Sequence, residues 1–123
     1  MKGALSRHHE ILFAFLYGSF ASEELFRDID VGLFVNESEA DLLRSFAYES
    51  RLSEELEEAA HSGFSVDVRV INGAPIPFCF QVIRGELLFC GSEEELTRFM
   101  TSVSRRYLDF APLRAHYLLE AMA

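Results

Sequence analysis

The chain is almost without lysine. Lys2 stands alone, and 11 basic residues face 20 acidic ones for a formal charge of −9. Nucleic-acid surfaces cluster Lys and Arg to displace counterions from phosphates, so direct nucleic-acid binding is not expected. The balance suits solubility and a basic protein partner instead. No apolar run approaches the roughly 20 residues that span a bilayer, and no membrane contact is expected. The start, Met1-Lys2-Gly3, shows no charged segment followed by an apolar core and a small-residue cleavage site. A signal peptide is therefore not expected, and the cytoplasm is the expected compartment. The two cysteines, Cys79 and Cys90, have neither CxxC nor a metal-ligand spacing, and read as buried, reduced thiols. Repeats, low-complexity tracts and linker-like stretches are missing too. That leaves a single domain over residues 1–123, long enough to bury roughly two-thirds of its unfolded surface.

What is present is a set of short apolar runs separated by turn residues. A short helix over residues 2–9 leads to a buried strand, Ile11 to Tyr17. Gly18 and Ser19 break the pattern, and a helical turn is expected through Ala21 to Leu25. Ile29 to Val35 is too uniformly apolar for a surface strand and reads as one covered by helices. Residues 38–61 place Leu42, Leu43, Phe46, Leu52, Leu56, Ala59 and Ala60 among many charges, which predicts an amphipathic helix interrupted near Ser50 to Ser53 and stopped by Gly63. Phe64 to Ile71 alternates cleanly and is a strand. "GAPIPF" is a turn entering a short helix, and "GELLFCG" is a short strand between glycines. Ser92 and Glu95 form a capping box ahead of a helix through about Phe110, with Pro112 restarting a terminal turn. The order predicts an α+β (α/β) fold around a small mixed β-sheet. His8-His9 read as a solvated N-terminal pair, His61 and His116 as companions of helix ends, Tyr107 and Phe110 as helix packing, and "SEELEEAAHS" as a solvated helix face.

The second apolar run opens with two aspartates, Asp28 and Asp30. Residues two apart on a strand share a face, so these carboxylates project together while Ile29 and Val31 face the other layer. Asp67 lies on the other well-defined strand, on the face away from its valines. If those strands pair, three carboxylates converge. Anions about 4 Å apart repel by roughly 4 kcal/mol at a surface-like dielectric, so a partner cation is needed. All-oxygen donors with no His or Cys nearby point to Mg²⁺ or Mn²⁺. Such a trio suits in-line nucleotidyl transfer. Gly18-Ser19 then allows close backbone approach, with following amides available to phosphate oxygens. Ion pairing of Asp67 with Arg69 or Arg27 is the plainer alternative.

Gly18-Ser19, Asp28-Ile29-Asp30 and Asp67 together resemble the minimal nucleotidyltransferase family, small relatives of the catalytic domain of DNA polymerase β. The downstream segments "VDVRVINGAPIPFCFQVIRGELLF" and "RRYLDFAPLRAHYL" look like the antitoxin branch of that family, and the likeness runs from about Ile11 to Leu118. It implies a polymerase β-like fold with helices packed on one face of the sheet. It implies an antitoxin paired with a HEPN-type toxin, transferring AMP from ATP to a tyrosine of that toxin, in a homo- or hetero-oligomer. Asp28, Asp30 and Asp67 would hold Mg²⁺ (or Mn²⁺), Asp67 would also help take the tyrosine proton, and Gly18 and Ser19 would seat the ATP phosphates. The chain departs from the family where an arginine usually follows the serine: Phe20-Ala21-Ser22-Glu23 stand there, and eight residues separate Ser19 from Asp28. Arg27 is the substitute in sequence. This departure motivates an alternative, a catalytically weakened antitoxin that neutralises its toxin by direct binding.

Overall fold

A strand with apolar residues at all seven positions is stable only with both of its faces covered, and β1 (Ile11–Tyr17) has that character. The computed structural model describes residues 1–18, 28–60 and 65–122, with side chains described through Asp109. The short helix α1 (Lys2–Ser6) precedes β1, and β2 (Asp28–Val35) returns antiparallel to it, with Tyr17 opposite Asp30. From β2 the chain passes through α2 (Ala40–Leu43) and α3 (Phe46–Ala60) to β3 (Ser65–Val70), which runs parallel to β2. The helix α4 (Ile76–Ile83), the strand β4 (Glu86–Cys90) antiparallel to β1, and the long helix α5 (Glu93–Met122) complete the chain. Among the described residues the sheet has four strands in the order β3-β2-β1-β4. The expected α+β fold with a small mixed sheet is what forms.

Helices cover both faces of that sheet, which corrects the expectation of one. Val31, Leu33 and Val35 of β2 and the valines of β3 pack with Leu5 of α1 and Leu52 and Leu56 of α3. On the other side Phe13, Phe15 and Tyr17 of β1 meet Cys79, Val82 and Ile83 of α4 and Val103 of α5. The central strands are apolar on both faces, and one layer of helices leaves half of that surface in water.

The break in the acidic helical region falls at Arg44–Ser45 rather than near Ser50–Ser53. Arg44 leaves helical geometry (ψ 64°), pairs with Asp41 and donates to the Asn72 carbonyl at 2.8 Å. The Ser45 hydroxyl then accepts the Tyr48 N–H, opening α3. Ser53 lies within α3, its hydroxyl donating to the Glu49 carbonyl one turn back instead of competing for the helix N–H groups.

The charged face of α3 is not simply solvated either. Glu57, Ser53 and Glu49 accept the backbone N–H groups of Val66, Val68 and Val70 at 2.7, 3.1 and 2.8 Å. Four helical residues rise about 6 Å and two strand residues about 6.6 Å, so the two series stay in step along the outer edge of β3. A helix thus closes a strand edge that would otherwise be free to pair.

Three other expectations change. α5 continues past Phe110 and Pro112 to Met122, since a proline removes one N–H donor while neighbouring turns keep theirs. Ser92 caps it as expected, its hydroxyl accepting the Glu95 N–H, but the box is not completed, because the Ser92 N–H goes to the Leu12 carbonyl and the Glu95 carboxylate to Arg98. His8 is not solvated: its ring nitrogens meet Glu55 at 2.9 Å and Glu10 at 3.3 Å, whereas His9 is exposed as expected. Burial acts to raise the Glu10 carboxyl, yet the Tyr48 hydroxyl, a backbone hydrogen bond and the two imidazoles outweigh it and leave it below its ordinary value. Cys79 is buried, but Cys90 is only half-buried; both are free thiols. Tyr107 packs as expected, stacked on Phe80 with centroids 3.8 Å apart. The helical turn at 21–25, Arg27, His61, Gly63, Phe64, and the side chains of Phe110 and His116 lie outside the described residues. Among the described residues no helix is long and apolar enough to cross a membrane.

Asn72 is the buried polar side chain that ties β2 to the turn after β3. It accepts the Val35 N–H at 2.9 Å and donates to the Val35 carbonyl at 2.8 Å. An orphaned buried group costs roughly 1–3 kcal/mol. Asn72→Ala is therefore expected to destabilise the chain by about 2–4 kcal/mol, read as a lowered urea midpoint at unchanged slope.

Candidate active site

The parallel register of β2 and β3 sets Asp30 opposite Asp67 and Asp28 opposite Ser65. Paired residues share a face, and strand neighbours lie about 4.8 Å apart. Val66, Val68 and Val70 turn to the α3 layer, so Asp67 and Arg69 turn the other way, as the alternation predicts. Asp28 and Asp30 share that second face. All three carboxylates therefore stand on one side of the sheet, at the entry end of β2, beyond the cover of α4.

Electrostatics ties them together. The Asp30 carboxyl is pushed above its ordinary value, first by burial and then by the charges of Asp67 and Asp28, with Arg69 opposing. Asp67 directs Oδ2 toward Arg69 Nε at 3.5 Å, the ion pair that sequence alone left open. Among the described residues no three metal-ligating groups yet lie within reach of one ion. The donor chemistry nevertheless fits a hard divalent cation: oxygen-only, anionic, and mutually repelling without a counter-charge.

Gly18 stands where no other residue fits. Its φ of 94° lies in the left-handed region that favours glycine, and a Cβ there would run into the Asp30 carboxylate. There is room for hydrogen alone between this turn and the acidic group. Ser19 lies outside the described residues.

Two neighbours were not singled out from sequence. Tyr17, opposite Asp30, is buried against Phe78, and its hydroxyl is pushed up to about 12 by burial and then by the Asp30 charge. It is a protonated donor at neutral pH. Arg84 joins Tyr17, Gly18, Gln81, Gly85 and Glu86 around a recess of about 420 Å³. The position of Tyr17 beside Gly18 was a signal for the first; nothing local signals the second, because α4 and α5 place it.

Mixed sheet, two helical layers and an acidic strand entrance beside a glycine turn define the nucleotidyltransferase class of fold. The family model described as Polymerase beta, Nucleotidyltransferase matches residues 1–94, and the chain belongs to that family. Solved structures share the architecture at low identity. A mutant of the toxin–antitoxin MntA–HpeT superposes with a TM-score of 0.70 at 19% identity, covering 98% of this chain and 94% of that one. A toxin–antitoxin with AMP-PNP gives 0.68 at 20% identity, covering 98% and 94%. A tri-AMPylated Shewanella oneidensis HEPN toxin in complex with MNT antitoxin gives 0.65 at 19%, covering 96% and 88%. No curated protein matches the chain.

The raised Asp30 carboxyl has a sign that can be checked. Between the ordinary value of 3.8 and its higher folded value, the folded chain keeps a proton that the unfolded chain has lost. Stability therefore falls as pH rises through that window and stays lowered above it. Asp30→Asn is expected to raise the metal-free melting temperature at pH 7, with the gain shrinking as pH falls toward 3.8. Thermal unfolding across that pH range measures it.

Proposed function

We propose that this chain is a Mg²⁺-dependent nucleotidyltransferase that acts as the antitoxin of a HEPN-type toxin, moving AMP from ATP to a tyrosine of that toxin. The observation that carries the reading is the in-register pairing of Asp30 with Asp67, with Asp28 on the same face. Membership in the nucleotidyltransferase family supports the reaction class. Likeness to toxin–antitoxin structures, one a tri-AMPylated HEPN toxin in complex with MNT antitoxin and another with AMP-PNP, supports the partner and the nucleotide.

In this reading Asp28, Asp30 and Asp67 hold Mg²⁺ or Mn²⁺. When bound, such an ion would polarise the α-phosphate and offset charge on the departing pyrophosphate. Gly18 leaves its backbone bare beside Asp30, and with Ser19 it seats phosphate oxygens. Asp67, the more exposed of the facing pair, also receives the proton of the incoming tyrosine hydroxyl. The tyrosyl oxygen bonds the α-phosphorus, the α–β phosphoanhydride opens, and pyrophosphate departs. Tyr17 keeps its own proton and stays a donor rather than a competing nucleophile.

Incubation with α-labelled ATP, Mg²⁺ and a HEPN toxin from the same genome is expected to label the toxin. Asp28→Ala with Asp30→Ala is expected to reduce the label to background. A wild-type pair that forms a complex and stays unlabelled overturns the transfer.

Neutralisation by contact alone is the second reading, and one surface favours it. Leu42 of α2 and Phe46 at the start of α3 are 81% and 86% exposed, on either side of the break at Arg44–Ser45. Phe46 borders a groove along α3 and β3 that Glu49, Glu54, Glu57 and Asp67 also line. Such a surface suits a basic partner with an apolar anchor site. Leu42→Asp with Phe46→Asp is expected to weaken toxin binding at least about tenfold, since anchor truncation costs more than 1 kcal/mol, with melting temperature unchanged. If toxin still binds the aspartate-free site and is neutralised, contact suffices.

A further inference from the structure

We infer that Arg84 is the phosphate-gripping cation of this site, reaching the β- and γ-phosphates of the nucleotide from the recess beside Gly18. The inference rests on the transferase reading and adds a residue to it. The loop after Ser19 offers Phe20-Ala21-Ser22-Glu23 and no cation before Arg27. Arg69, the cation nearest the carboxylates among the described residues, is engaged with Asp67. A triphosphate held at Asp30 needs positive charge elsewhere.

The fold delivers it from α4. Gly85, just beyond that helix, lies so close to β1 that a Cβ there would strike the Leu16 carbonyl. β4 then pairs Glu86 with Leu16 while Tyr17 pairs with Asp30. The turn carrying Arg84 is thereby locked beside Tyr17 and Gly18, on the row that continues through Asp30 to Asp67. Arg84 is the cation among the residues lining the recess. From β4 to β2 the row crosses two strand spacings, roughly 10 Å, a span within reach of a triphosphate chain and an arginine side chain.

The guanidinium is also oriented. It lies 5.8 Å from the centroid of Phe80, which is stacked on Tyr107 at 3.8 Å and 3°. A cation held over an aromatic ring loses little of its donor capacity, because its N–H fork points outward in its own plane. That fork matches phosphate oxygens in pairs. The Tyr107–Phe80–Arg84 column thus connects α5 to the site without touching substrate; Phe80 and Tyr107 are positioning residues.

Glu86 lines the same recess and supplies a control of opposite sign. Titration calorimetry on the full chain with Mg²⁺ compares pyrophosphate, AMP-PNP and AMP. Arg84→Ala is expected to weaken pyrophosphate and AMP-PNP about tenfold or more, the loss of a charge-assisted hydrogen bond, and AMP by no more than about twofold. Arg84→Lys recovers part of the loss, Phe80→Leu shows a smaller loss in the same ligands, and Glu86→Gln strengthens pyrophosphate. Arg84 and Glu86 are exposed, so their variants report on ligand and not on folding, and a melting curve accompanies the half-buried Phe80→Leu. Unchanged pyrophosphate affinity in Arg84→Ala, or equal losses for AMP and AMP-PNP, overturns the assignment and leaves the transferase reading standing. A wild-type chain that takes up none of the three ligands overturns both.

Discussion

The parallel pairing of β2 with β3 is the constraint on which the rest depends. One residue of slip would send Asp67 to the helical layer and Val68 to the acidic face. The valine alternation of β3 prevents the slip, because Val66, Val68 and Val70 are buried against α3. α3 fixes the strand a second way, by taking three of its backbone N–H groups with Glu49, Ser53 and Glu57. A carboxylate pair that repels itself is thus held in place by apolar burial on the opposite face and by hydrogen bonds along the edge. Fully covering a valine side chain stabilises by about 1.5–3 kcal/mol, a hydrogen bond to a charged carboxylate by a similar amount, and the two sets act together. The site draws its rigidity from contacts that never touch it.

The same division leaves the carboxylates short of positive charge. Asp67 rests against Arg69, and Asp30 is raised by its neighbours. Both observations describe anions sharing too little positive charge. A bound divalent cation would supply that charge to the carboxylates and to the phosphates of a nucleotide alike, so the two ligands are expected to favour one another through a shared electrostatic cause.

Much of the fold was legible in the sequence because it rests on local patterns. The seven apolar residues of β1 and the alternation of β3 each set an element almost to the residue, and the Ser92 cap set the start of α5. The alternation also placed Asp28, Asp30 and Asp67 on the correct faces. What was hidden depends on residues distant in the chain. The helix breaks at Arg44 because Asn72 offers its carbonyl 28 residues away. His8 is drawn in by Glu55, 47 residues on. The acidic face of α3 reads as solvent-exposed until β3 is laid beside it. Arg84 carries no motif; its place follows from the close approach of Gly85 to Leu16 and the stacking of Phe80 on Tyr107.

Family membership fixes the class of chemistry this scaffold is built around, and the acidic row is the location proposed for it. The most direct test is a crystal structure of the chain grown with Mn²⁺ and a non-hydrolysable ATP analogue, with anomalous scattering used to locate the metal. The account predicts a peak touching oxygens of Asp28, Asp30 and Asp67, with Asp67 drawn away from Arg69. A nucleotide bound with no metal at these residues, or a metal held elsewhere, would contradict it.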